Sequence, residues 1–257
     1  MQQCPADPGR YRWLALGEEA LPPEEQWLAP GEAAILTGLR YTKRRTEFLL
    51  RRLATKHAVA LVTGRSTDPA ALAGLEVRNE PSGAPYVCVD GAPIEMGVSI
   101  SDRAGWAVCV TSPAGPSAVG CDLELVEPRS PGFVCDFLTT TEQRLVGVCA
   151  AGDERDAVIN LIWSAKESVL KVLGTGLRRD TRTLEVTPVA PGSDGWGALT
   201  VQAVEGTVFP GWWRREGRFL LTVATRVAVP PPAALGDPGV LALAEPRHSW
   251  LQRPLHG

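Results

Sequence analysis

From Asp153 to Leu173, the apolar residues Val158, Ile162, Ala165, Val169 and Val172 recur at spacings of four and three, the period of a single buried stripe on an α-helix. Gly174, just beyond, suits a left-handed cap that ends it. A second helix is predicted over Lys43–Val62, with Phe48, Leu49, Leu53 and Ala60 on its buried side, and a shorter one precedes it near Pro30–Gly38. Strands are expected around Leu75–Asn79 and Tyr86–Val89, while Val98–Ser101 and Trp106–Thr111 read as a hairpin joined by Asp102–Gly105. Further on, a strand over Ala118–Leu123 leads into helices near Pro131–Leu138 and Thr141–Ala150, the latter opened by a capping box of Thr139 and Glu142. After the long helix, strands are predicted around Leu184–Pro188, Ala198–Val204, Thr207–Trp213 and Arg218–Val227. The pattern predicts an α+β protein of two similar-sized α/β subdomains, residues 1–116 and 117–228. The run Pro230-Pro231-Pro232 and the mixed tail after it predict a flexible extension over 229–257.

Composition narrows the function classes. With 257 residues, 44% hydrophobic and 21% charged, the chain has the make-up of a globular protein able to bury a sizeable core. No apolar run approaches the roughly eighteen residues a membrane helix needs, and a cytoplasmic location without membrane association is the default expectation. A net charge of −3 lacks the basic footprint of a nucleic-acid binder. The six cysteines, Cys4, Cys88, Cys109, Cys121, Cys135 and Cys149, form no Cys-x-x-Cys pair and have no zinc-ligand spacing to His57, His248 or His256. Cys88, Cys109 and Cys121 read as small buried hydrophobes.

Positive charge is instead local: Lys43, Arg44, Arg45, Arg51, Arg52 and Lys56 gather on one helix. Candidate chemistry lies elsewhere, in Gly120-Cys121-Asp122-Leu123-Glu124 and Trp163-Ser164-Ala165-Lys166-Glu167-Ser168-Val169-Leu170-Lys171. In an extended strand Asp122 and Glu124 project from one side, roughly 6–7 Å apart. On the helix, Glu167 and Lys171 lie one turn apart, opposite the apolar stripe. Such a set can hold Mg²⁺, which takes oxygen ligands and keeps waters or phosphates in its remaining positions. Read singly, each pair is also an ordinary surface ion pair or solvated strand face, and the basic run an ordinary solvated helix face.

Taken together, the order Gly-x-Asp-x-Glu followed some forty residues later by Trp-x-x-Lys-Glu-x-x-x-Lys resembles the paired signature of the 4′-phosphopantetheinyl transferase superfamily, in its larger single-chain type. The resemblance runs from about Leu39 to Val227. It includes Lys43-Arg44-Arg45-Thr46-Glu47-Phe48-Leu49-Leu50-Arg51-Arg52, with Arg51 where the pattern has Gly, the turn Gly83-Ala84-Pro85, and the exit Gly174-Thr175-Gly176-Leu177. Ser99-Ile100-Ser101-Asp102 stands where the pattern has Ser-x-Ser-His, so a carboxylate replaces a histidine expected to meet a phosphate.

The resemblance implies two subdomains related by a pseudo-twofold, with the active site in the cleft between them. It implies transfer of the 4′-phosphopantetheine arm of coenzyme A, the co-substrate, to a serine of an acyl- or peptidyl-carrier protein by a monomer, releasing 3′,5′-ADP, with secondary-metabolite synthesis of polyketides or nonribosomal peptides as the setting. Asp122, Glu124 and Glu167 would hold Mg²⁺, with Mn²⁺ as an alternative. Glu167 would accept the serine proton and Lys171 would neutralise the departing phosphate. Coenzyme A would be held by Arg44, Arg45 and Arg52, by Gly83 and Ser101, by the Asp102 segment with Arg103 supplying the missing positive charge, and by Lys166 and Lys171. A non-catalytic coenzyme A- or carrier-binding module is the alternative reading, and another Mg²⁺-dependent nucleotide enzyme a third.

Overall fold

The computed structural model describes residues 9–113, 115 and 118–247. They fall into two units, drawn from Met1–Pro116, Pro232–Pro238 and Pro246–Gly257 in the first, and from Ser117–Pro231 and Gly239–Glu245 in the second. Cys4, His248 and His256 lie outside the described residues. The first unit runs β1 (Arg12–Gly17), α1 (Pro30–Thr37), α2 (Thr42–Thr63), α3 (Pro69–Ala73), β2 (Leu75–Asn79), β3 (Pro85–Val89), β4 (Ala92–Pro93), β5 (Gly97–Arg103) and β6 (Trp106–Ser112). The second runs β7 (Val119–Leu125), α4 (Pro131–Phe137), α5 (Thr140–Val148), α6 (Asp153–Leu173), β8 (Leu184–Pro188), β9 (Gly197–Ala203), β10 (Val208–Glu216) and β11 (Phe219–Thr225). A last two-residue strand, β12 (Ala233–Ala234), returns to the first unit and pairs parallel with β1.

In each unit one long helix packs on a largely antiparallel sheet. The first has sheets of order β12-β1-β6-β5 and β2-β3-β4, and the second a single sheet of order β7-β11-β10-β9-β8. Leu50, Leu53, Ala54, Ala58 and Val59 of α2 bury against Leu14, Val98, Ala107 and Cys109. On α6 the stripe Ile162, Ala165, Val169 and Val172 buries against Val186, Leu199, Val201 and Ala224. Gly64 and Gly174 end the two helices in the left-handed region at φ 68° and 66°, where a side chain would be strained.

One buried polar device occurs twice. Glu32 receives Lys56 at 2.5 Å and the amides of Ala29 and Val77, while Lys56 donates to the Trp27 carbonyl. Likewise Glu142 receives Lys166 at 2.6 Å and the amides of Thr139 and Val186, and Lys166 donates to the Phe137 carbonyl. Glu32 and Glu142, Lys56 and Lys166, and Trp27 and Phe137 each stand 110 positions apart. The halves therefore repeat one architecture, in which a short helix donates a glutamate that ties the long helix to a strand.

Three expectations are corrected. Lys166 is fully buried in this ion pair, which uses its charge inside the unit and removes it from any ligand. The hairpin strands extend to Arg103 and Trp106, leaving Ala104 and Gly105 as the turn at φ 47° and 79°, the geometry that follows the right-handed strand twist. The described part of the C-terminal extension is packed rather than loose: Trp212 donates to the Val229 carbonyl at 2.8 Å, Leu241 is fully buried, and Leu235 donates to the Trp13 carbonyl. A strand pairing and one inserted leucine hold this proline-rich segment without any helix or strand period in its sequence.

Candidate functional site

Gly120 opens the acidic strand because the helix backbone leaves no room there: a Cβ at this position would collide with the Ser168 carbonyl of α6. Hydroxyls fasten the same junction. Ser164 and Ser168 meet the Thr222 hydroxyl at 2.9 and 2.7 Å, and Thr222 stands opposite Asp122 in the β7–β11 register. With the two elements this close, Lys171 reaches across to the Cys121 carbonyl at 2.7 Å and to Asp122 at 3.0 Å. It faces β7 and not an exposed ridge. Burial, the largest single influence, pulls its ammonium down, and the charges of Asp122, Cys121 and Glu167 with the Asp122 hydrogen bond together outweigh it and hold the group above the ordinary lysine value.

Glu124, two residues along the same face, is held at both oxygens. Oε1 accepts from the Trp163 indole and Oε2 from Arg129, each at 3.1 Å. Arg129 is itself fixed, donating to Asn160 at 2.7 Å, with its guanidinium 5.0 Å from the centre of the Phe133 ring. Asn160 is anchored in turn on the carbonyls of Glu127 and Asp156. Trp163 packs edge-on between Phe133 and Phe137 at 5.1 and 5.0 Å, so it braces the site by packing and also orients a carboxylate. Arg129 and Asn160 belong to no motif read from the sequence. The one available signal was an asparagine at a fully buried helical position, where an unpaired amide is costly.

Glu167 completes the set. Its Oε1 is buried and has no hydrogen-bond partner. Desolvation, then the charges of Asp122 and Glu124, push its carboxyl from 4.5 to about 7 against the opposing pull of Lys171. Among the described residues no three His, Cys, Asp or Glu side chains are gathered as a ready metal-holding cluster, since Asp122 is turned to Lys171 and Glu124 to Arg129 and Trp163. The donor chemistry nevertheless suits a hard dication: three carboxylates, of which Asp122 and Glu124 lie close enough to perturb Glu167, whose orphaned buried oxygen positive charge would satisfy. Side-chain rotation at Asp122 and Glu124 would deliver their oxygens.

In the first unit, Lys43, Arg44 and Arg51 line a cavity of about 440 Å³ together with Leu39, Glu47 and Phe48. Arg45 is not there. It donates to the Leu36 carbonyl at 2.7 Å and pairs with Glu25, capping α1 with the charge that sequence reading offered to a ligand. Arg52 is 8% exposed, lies 3.9 Å from the centre of the Phe48 ring and reaches Asn79 at 3.5 Å. Burial lowers its guanidinium to about 10. Asn79 also donates to the Gly83 carbonyl, so Arg52 and the Gly83 turn are neighbours. Ser101 projects from the face of β5 opposite to Asp102, as strand alternation requires.

Asp102 is bound by Arg51 of α2 at 2.8 Å. Arg103 pairs with Trp106 at the hairpin end. Cys88, Cys109 and Cys121 are buried, and burial lowers the half-buried His57 imidazole. No described helix is long and apolar enough to cross a membrane.

Comparison with known proteins adds three findings. Residues 118–223 match the family model described as the 4′-phosphopantetheinyl transferase superfamily. Comparison with curated proteins gives no match. Among solved structures, the crystal structure of Thermotoga maritima holo-[acyl-carrier-protein] synthase is similar at 25% identity and a TM-score of 0.33, over 42% of this chain and 61% of that one. The matched segment opens just ahead of β7 and closes within β11, taking in Asp122, Glu124, Glu167 and Lys171 on the elements that draw them together.

Proposed function

We propose that this protein transfers the 4′-phosphopantetheine arm of coenzyme A to a serine of an acyl- or peptidyl-carrier protein, giving holo-carrier and 3′,5′-ADP, as a monomer of the larger single-chain type that serves polyketide or nonribosomal peptide synthesis. The observation that carries the reading is the convergence of Lys171, Asp122, Glu124 and Glu167 across the β7–α6 contact, inside the family segment. Phosphoryl transfer leaves little covalent chemistry to the protein, so positioning and charge dominate. Asp122, Glu124 and Glu167 hold Mg²⁺, or Mn²⁺ in its place, which neutralises charge on the diphosphate when bound. Glu167, whose carboxyl rests near neutrality, accepts the proton of the carrier serine. Lys171, released from Asp122, meets the oxygens of the departing phosphate. Trp163 and Arg129 hold Glu124 beside the site until its side chain turns to the metal.

The test is incubation with an apo carrier protein, coenzyme A and Mg²⁺, read by intact mass. A phosphopantetheine adduct is expected with the wild type and a loss of at least about a hundredfold in rate with Asp122→Ala, from removal of one charge-holding group. A module that only binds coenzyme A would leave the carrier mass unchanged. Near-normal transfer by Asp122→Ala would remove the acidic strand from the chemistry.

A further inference from the structure

The cavity beside the first turns of α2 shows a charge arrangement that the function above does not use. Arg44, Glu47, Phe48 and Arg51 follow one another at helical spacing and form one wall, with Lys43 and Leu39 at the edge. Glu47 pairs with Lys43 at 3.8 Å, and burial, with Asp102 next, raises its carboxyl above the ordinary value. The cavity lining therefore carries three cations, Lys43, Arg44 and Arg51, against one weakened acid. Behind it, Asp102 of β5 holds Arg51 through Nη1 at 2.8 Å, with Asp102 only 15% exposed and Arg51 37% exposed. A guanidinium offers five N–H donors in a rigid fork. One end is engaged by Asp102, and the rest is carried at the cavity wall.

We infer that Arg51 is an anion contact of this cavity and that Asp102 is its positioning residue, so that a phosphate ester binds against a fork whose direction is set before the ligand arrives. A free arginine side chain loses rotamer entropy when it is fixed, and Asp102 removes much of that cost from the binding step. Residues 51 and 102 are also the two places where the chain departs from the pattern it resembles, and they touch. Each change makes sense only with the other: Asp102 alone would set a largely buried carboxylate beside Glu47, and Arg51 alone would be an unanchored side chain. The ligand's identity, the phosphates of coenzyme A, rests on the proposed function; the positioning relation does not.

The experiment measures binding without turnover, by calorimetry on the full chain with 3′,5′-ADP, adenosine 5′-monophosphate and inorganic phosphate as probes. Arg51→Ala should weaken 3′,5′-ADP at least tenfold. Asp102→Ala should weaken it severalfold in the wild-type background and have no effect on top of Arg51→Ala, because it acts through Arg51. The exchanged pair Arg51→Asp with Asp102→Arg should regain the melting temperature lost by either single change and still fail to bind the probe. Tighter binding in Asp102→Ala, an equal loss from Asp102→Ala in both backgrounds, or recovered affinity in the exchanged pair would each overturn the inference. Carrier transfer stands apart from these outcomes: a protein that binds 3′,5′-ADP as described and leaves the carrier unmodified supports the Arg51–Asp102 relation and refutes the transferase reading. A protein that modifies the carrier with Kd values unmoved by Arg51→Ala does the reverse.

Discussion

Glu167 concentrates the electrostatic problem of the acidic site in one side chain. It is a carboxyl on the helix face that meets β7, with Asp122 and Glu124 nearby and one oxygen that no donor satisfies. Its value in the folded protein, about 7, lies above the 4.5 of the unfolded chain, so the folded state binds the proton more tightly. Stability from this group is fully present below about pH 4.5 and is lost as the pH rises through about 7. In protein stripped of metal with EDTA, the wild type should thus lose melting temperature between about pH 5 and 8 relative to Glu167→Gln, which keeps the shape and cannot titrate. Added Mn²⁺ should raise the wild type at the upper pH and leave Glu167→Gln nearly unmoved. A constant difference between the two proteins across that range would show that Glu167 titrates as an ordinary surface acid.

At the scale of elements, the repeated glutamate–lysine device decides how each long helix is seated. The partners do not carry equal weight. Glu142 accepts Lys166 and two backbone amides, whereas Lys166 donates to Glu142 and the Phe137 carbonyl. Removing Lys166 leaves a carboxylate that still has two N–H donors. Removing Glu142 strands a fully buried ammonium and two amides, so its loss should be the larger, given that breaking one side of a buried pair costs about 3–5 kcal/mol. Urea denaturation should rank Glu142→Ala below Lys166→Met in stability, with Glu32→Ala and Lys56→Met in the same order. The reverse order in both units would mean that the lysines bear the greater burden. Lys166 is also the residue most easily misread from sequence, because it precedes Glu167 in a motif that otherwise points at ligands. One helical position separates a side chain aimed at the core from one aimed at the acidic strand.

Across the whole molecule, what was legible in the sequence follows from which physical signals are periodic. Helices α2 and α6 announce themselves by an apolar stripe sustained over successive turns, and β7 by alternation that sets Asp122 and Glu124 on one side. Strand β1 does not, since Trp13, Leu14 and Ala15 are all buried and give a short unbroken run in place of alternation. The duplication was illegible for a different reason: few positions repeat by residue type, and the packing positions around them change freely as long as volume is kept. Arg45 and Arg52 looked like ligand contacts because a basic run reads alike whether its charges meet solvent, a helix end or a ring. The repeat also divides labour, because His57 and Leu61 in α2 stand where α6 carries Glu167 and Lys171, leaving the acidic chemistry to one unit and the basic cavity to the other. The two should therefore fail separately. Asp122→Ala should abolish Mn²⁺ binding, measured by electron paramagnetic resonance, and leave metal-free 3′,5′-ADP binding within about twofold. Arg44→Ala should do the opposite, and both should stop carrier modification, since phosphoryl transfer needs the phosphates positioned as well as neutralised. Loss of metal-free 3′,5′-ADP binding in Asp122→Ala, with its melting temperature retained, would mean that the acidic unit shapes the basic cavity and that the division of labour is wrong.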